Sequence, residues 1–205
     1  MKKSTVIVFI LVSIQLFSQD TLKIQRIKEF HVTLADISPL SIQLKYKKQI
    51  SDKMYFKLGL INLSYNYSTN YNESSSFPID NEAYSAGIQI GLEFRKKLTN
   101  TFSFFHGPNI EYVYSNNTEI NLNPSTPVYK NKRITQNHIG QIPYTLGVLF
   151  NLNIHVLFAA EINPGIQFNF KESYYTGEYT DYKHSFSSSL KFDNRLCLLS
   201  LVYRL

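Results

Sequence analysis

From Tyr84 to Arg95 the chain alternates without a break. Tyr84, Ala86, Ile88, Ile90, Leu92 and Phe94 fall on one parity, and Ser85, Gly87, Gln89, Gly91, Glu93 and Arg95 on the other. Successive side chains of a strand point to opposite faces, so this segment presents one wholly apolar, uncharged face and one polar face. Strands with a polar inside and an apolar outside suit a closed barrel whose surroundings are lipid.

The same signature recurs along the sequence. Phe30, Val32 and Leu34 alternate with His31, Thr33 and Ala35; Leu40, Ile42, Leu44 and Tyr46 with Ser41, Gln43, Lys45 and Lys47. Met54–Ser68 is a long strand whose apolar parity passes from Leu58 and Leu60 to Ile61, Leu63, Tyr65 and Tyr67, which predicts a bulge near Leu60. Phe102–Tyr114 follows, irregular at Gly107-Pro108, and then Ile142–Asn151 and Val156–Phe170. Pro143 and Pro164 interrupt the last two, a cost most easily accepted near a bulge.

Connections set the expected topology. Short turns near 49–53, 96–100 and 151–155 alternate with long polar loops near 69–83, 115–137 and 171–183. Membrane barrels put short turns in the periplasm and long loops outside, with an even number of strands between. Asp193-Asn194 reads as a hairpin turn and would make nine strands. Reading His184–Leu205 as one strand, irregular at Asp193-Asn194, makes eight and leaves both termini on the side of the short turns. The change of parity from Phe186, Leu190 and Phe192 to Cys197, Leu199, Leu201, Tyr203 and Leu205 is what a bulge would produce. The expected fold is therefore all-β, an antiparallel up-and-down transmembrane β-barrel of eight strands.

Residues 1–18 have the layout of a cleaved signal peptide: Lys2 and Lys3, an apolar run from Val6 to Phe17, and small Ser18 before the cut. Residues 19–205 then form the barrel domain. Removal of the two lysines lowers the net charge from +6 to about +4. With no basic block or stripe, nucleic acid is not an expected partner; anionic lipid headgroups match the mild positive charge better. Cys197 is the only cysteine, so no disulfide forms within the chain.

The terminal strand Cys197-Leu-Leu-Ser-Leu-Val-Tyr203-Arg-Leu205 and the segment Ser38-Pro-Leu-Ser-Ile-Gln-Leu-Lys-Tyr46 carry a resemblance to a known family. The chain resembles the small eight-stranded outer-membrane β-barrel proteins of Gram-negative bacteria, the OmpA/OmpX-like group. The resemblance implies the cell outer membrane as location, outer-membrane lipids as surroundings, and a barrel-assembly signal in Leu199, Leu201, Tyr203 and Leu205 read by the assembly machinery. The last position departs from the family pattern, with Leu205 where phenylalanine is usual.

The polar face is where chemistry could reside. Lys45, Lys57, Gln89, Glu93, Arg95, Glu111, Glu161 and Gln167 point inward by parity. Lys45, Lys57, Glu93 and Arg95 lie close to short turns and should share the periplasmic half of a lumen just wide enough for side chains to fill. Charges there have little water, so mutual pairing into a plug is expected, with Glu111 and Glu161 completing the set. A proton or ion path through the same residues, as in a small porin, is the alternative. An enzyme acting on outer-membrane lipid would need His184, Ser185 or a neighbouring serine, and a carboxylate such as Asp181 in triad geometry. A soluble lipocalin-like barrel would place its apolar face inward around a ligand. His31, His106, His138 and His155 lack metal-ligand spacing, and no cofactor motif is present. Enzymatic activity, metal and cofactor are therefore not expected. The loops Ser68–Asp80, Asn116–Asn137 (with Lys130, Lys132 and Arg133) and Lys171–Lys183 (with Tyr174, Tyr175, Tyr179 and Tyr182) combine Tyr, Ser and Asn as contact surfaces do. A surface ligand would bind there, though interfacial aromatic girdles account equally well for some of these tyrosines.

Overall fold

Period-two alternation becomes ladder pairing along nearly the whole chain. The strands are β1 (Lys28–Ile37), β2 (Leu40–Ser51), β3 (Met54–Tyr71), β4 (Pro78–Lys97), β5 (Phe102–Asn121), β6 (Asn131–Asn151), β7 (Val156–Ile162), β8 (Gly165–Thr176), β9 (Asp181–Lys191) and β10 (Leu198–Arg204). The computed structural model describes residues 26–37, 40–71, 78–121, 131–176, 181–191 and 198–205. The expected signal segment, Cys197 and the Asp193-Asn194 irregularity lie outside the described residues. Every pairing is antiparallel. Chain neighbours pair from β1 to β6, and β6–β7, β7–β10 and β10–β1 close the ring. Eight strands encircle the end that carries the short turns.

The ten ladder segments reduce to eight strands for physical reasons. Ile162 faces Leu146 and Ile166 faces Ile142 in one unbroken register, so β7 and β8 are a single strand of the wall. Pro164 lacks an N–H and interrupts the ladder, while its carbonyl still accepts from the Tyr144 amide at 2.7 Å. β9 and β10 pair in succession with that same wall strand: Lys191 faces Gly165 and Leu198 faces Glu161, seven positions of one against four of the other. An odd excess reverses side-chain parity, which is the change visible in the sequence between Leu190 and Leu199.

The bulge expected near Leu60 is present and is centred on Asn62. The β3–β4 register shifts between Ile61 and Ser64, and Asn62 has φ 52°, a left-handed conformation that asparagine tolerates better than most residues. Ile61 consequently points inward and is 2% exposed, whereas parity alone puts it on the apolar outside.

The long strands outrun the expected loops. β3 to β6 have 18, 20, 20 and 21 residues, about twice the 9–11 that cross a membrane. Residues 69–71, 78–83, 115–121, 131–137, 171–176 and 181–183 belong to paired strands and not to loops. Backbone pairing needs no apolar side chains, so polar extensions of this kind leave no alternation to read. The first hairpin, by contrast, turns back between Ile37 and Leu40. Above it stand β3, β4, β5, β6, β8 and β9, and among the described residues β9 has only β8 as a ladder partner.

Outward residues are apolar in a band bounded by aromatic rings. Phe30–Tyr46, Phe102–Phe150 and the cluster Phe94, Phe104, His106, Tyr144 lie toward the short turns. Tyr84–Tyr114, Tyr112–His138 and His138–Phe170 lie toward the extensions. Tyr84 to Phe94, one on each ring, spans eleven residues of β4, the length of a tilted membrane-crossing strand. The apolar face is thus outward, the reverse of a lipocalin.

Candidate functional site

The interior near the short turns divides into two halves. β5, β6, β7 and β10 contribute an apolar wedge of Phe105, Leu149, Leu157, Ala159 and Val202, all buried. β1 to β4 face it with Glu29, His31, Lys45, Lys47, Lys57, Glu93 and Arg95. Gly147 makes the wedge possible, since a β-carbon there would overlap the Phe105 ring and the Ala160 carbonyl oxygen.

The charges pair with one another. Arg95 donates to both oxygens of Glu29, at 2.9 and 2.5 Å, and through Nε to Glu93 Oε1 at 2.6 Å. Lys47 Nζ donates to the other Glu93 oxygen at 2.6 Å. Arg204 of β10 donates to Glu29 Oε1 through Nε and Nη2, both at 3.0 Å, and His31 Nε2 lies 3.4 Å from Glu29 Oε2. Further along the barrel Lys45 pairs with Glu161 of β7. Two cations also use aromatic faces: the Arg95 guanidinium lies 3.7 Å from the Tyr55 ring centre and Lys47 Nζ 4.9 Å from that of Phe105. Charge-assisted bonds between buried groups are strong, and each partner removed would strand another.

A neutral layer follows toward the extensions. Asn109 donates to Thr145 Oγ1 at 2.6 Å, and Thr145 in turn to Asn163 Oδ1 at 2.6 Å. Lys57 Nζ reaches Thr145 Oγ1 at 3.5 Å. Gln89 donates to Glu111 at 2.5 Å and Gln141 to Gln167 at 3.3 Å. Gln43, Glu111, Gln141, Asn163 and Gln167 border a polar cavity of about 50 Å³, a volume suited to water molecules.

No protein-family model matches the sequence, and no curated protein is similar to it. Among solved structures, a major outer membrane protein from Thermus thermophilus is similar, with 8% identity, a TM-score of 0.54, and coverage of 88% of this chain and 99% of that one. The chain has the fold of an outer-membrane β-barrel. Two crystal structures of Ail, the attachment invasion locus protein of Yersinia pestis, match at TM-scores of 0.37 and 0.40 with 14% and 12% identity, over 88% of this chain and 95% and 96% of theirs. At that level the likeness to Ail carries no further argument.

Within this barrel, the six charged residues singled out from parity do not play one part. Lys45, Glu161, Glu93 and Arg95 lie in direct ion pairs. Lys57 is buried yet bonds a hydroxyl instead of a carboxylate, and Glu111 accepts from a neutral amide. Glu29, Lys47, His31 and Arg204 were not among the six. Lys47 and His31 share the polar parity of Lys45 and Thr33, so the same signal covers them. Glu29 and Arg204 lie at strand ends, where alternation is too short to count. Only the register pair Glu29–Arg204 brings them together.

The terminal residues Leu199, Leu201, Tyr203 and Leu205 are all at least half exposed on the outer face, while Leu198, Ser200 and Val202 are buried. His184 lies 3.7 Å from Glu172 Oε1 and contacts the rings of Phe170 and Tyr182. It shares the outward face of β9 with Phe186 and Ser188, whereas Ser185, Ser187 and Ser189 have the opposite parity. Among the described residues Glu172 is the carboxylate beside His184, and no serine hydroxyl is hydrogen-bonded to it. They contain no group of three or more His, Cys, Asp or Glu able to hold a metal ion.

Proposed function

We propose that this protein is a non-enzymatic integral protein of the bacterial outer membrane, closed by its own charged interior and meeting its surroundings through the tall polar hairpins. One observation carries the reading. Glu29, Glu93 and Glu161 are 0–3% exposed, and each is paired with a cation from another strand, inside a wall whose outer face is an apolar band. An eight-stranded ring leaves no bore once such side chains fill it. The hairpins offer Tyr, Asn and Ser in the combination used by adaptable contact surfaces. Structural or adhesive contact is the role this arrangement supports best.

Cell fractionation with gel mobility before and after boiling tests the location, and planar-bilayer recording tests the closure. The expected result is an outer-membrane band whose mobility changes on boiling, with no conductance steps. A freely soluble band would overturn the membrane reading. Steady steps from wild type that change in Glu93→Ala or Lys57→Ala would overturn the closed interior.

A further inference from the structure

The outer face of β1 to β4 carries two features that the interior does not use. The first is an apolar groove of about 400 Å³. Phe30 and Val32 of β1, Leu44 and Tyr46 of β2, and Leu58 and Leu60 of β3 line it. They form two consecutive rows across the sheet, Phe30–Tyr46–Leu58 and Val32–Leu44–Leu60. The second feature is a set of exposed lysines at the foot of the same strands. Lys28 and Lys48 face each other across β1 and β2, one outward step below the Phe30–Tyr46 row. Lys53 in the β2–β3 turn and Lys96 below Phe94 are exposed beside them.

Like charges directly opposite on antiparallel strands repel and destabilise the pair. Among the described residues, no carboxylate lies within ion-pair distance of Lys28, Lys48, Lys53 or Lys96. Asp52, beside Lys53 in the chain, is acidic and it too stands exposed, while the Leu205 amide donates to the Lys28 carbonyl at 2.9 Å. An anion placed between Lys28 and Lys48 would relieve the repulsion. The adjoining groove is apolar, so the anion best suited to the place is one attached to a hydrocarbon chain.

We propose that groove and lysines are two halves of one site for an anionic phospholipid of the leaflet facing the short turns. The phosphate sits between Lys28 and Lys48, and an acyl chain rises along the two apolar rows. The proposal rests on the membrane reading above. It differs from ordinary lipid contact in predicting selectivity by headgroup charge at one quadrant of the barrel, because the apolar band continues all round while this lysine pair does not.

The test inserts the full barrel chain into vesicles of phosphatidylcholine with a minor share of phosphatidylglycerol of the same acyl chains. After mild detergent extraction, native mass spectrometry counts the lipids retained. Phosphatidylglycerol should be retained in preference, by about fivefold for each lysine facing the headgroup. Lys28→Gln with Lys48→Gln should erase the preference while the boiling-dependent gel shift persists, and Lys171→Gln on β8 should leave it intact. Leu44→Trp, which fills the groove, should reduce retention of phosphatidylglycerol even with both lysines present. Equal retention of the two lipids by wild type, or a preference that survives the double lysine variant, overturns the site. Failure to insert into vesicles of any composition would instead remove the membrane reading on which it stands.

Discussion

Glu29 is the residue on which most of the interior converges. Its side chain is fully buried and accepts from Arg95 and Arg204, with His31 alongside. Glu29→Gln would leave the buried Arg95 with Glu93 as its remaining carboxylate and take from the part-exposed Arg204 its described one. Breaking a buried pair by removing one partner costs about 3–5 kcal/mol, so urea unfolding in detergent micelles should show a loss of that order. The Lys45–Glu161 pair gives the complementary test. Lys45→Met and Glu161→Leu should each destabilise the barrel, and the double variant should be more stable than either single one, since no charge is then stranded. Parity alone reveals that Lys45, Glu93, Arg95 and Glu161 face inward. It does not reveal partners, because which inward charges meet depends on the stagger between strands far apart in sequence. That is why Glu111 looks like a member of the charge network and instead accepts from Gln89.

At the scale of the strand, departures from regularity do specific work. Asn62 lets β3 place Ile61 inside and return Tyr65 and Tyr67 to the outside, and its carbonyl accepts from the Ser85 hydroxyl at 2.7 Å. Asn62→Gly should keep the fold and stability nearly unchanged, while Asn62→Val should cost about 1–2 kcal/mol, the penalty for a left-handed L-residue. Gly147 answers to packing instead. Gly147→Ala should cost about 1–3 kcal/mol by overpacking, and Phe105→Leu in the same chain should recover part of that loss. Melting followed by gel mobility would measure both series. The sequence shows that β3 changes parity near Leu60 but puts Ile61 on the wrong face, because Leu60, Ile61 and Leu63 are all apolar and any of them could take the outside. The polar extensions of β3 to β6 are invisible for the opposite reason: Asn, Ser and Thr on both faces leave no contrast. By comparison, Pro164 advertises its interruption, and its effect is confined to the ladder.

The whole molecule holds charge in two settings that should respond differently to salt. Interior pairs such as Lys47–Glu93 are out of reach of counter-ions, whereas Lys28 and Lys48 are exposed. Raising ionic strength from about 0.1 M to about 1 M shortens the screening distance from about 10 Å to about 3 Å. The unfolding midpoint should therefore move little, while any preference for anionic lipid should fall steeply. A midpoint that collapsed with salt would mean that water and ions enter the interior. The eight-strand ring was legible in the sequence because alternation and turn length agree on it. The uneven height of the wall was not, because it depends on how far polar hairpins stay paired. That unevenness has its own consequence. With a low first hairpin and tall strands around the rest, the molecule has a front and a back when viewed down its axis. Turning it in the membrane plane changes what a neighbour meets, so its contacts in a crowded surface should depend on compass bearing as well as on distance.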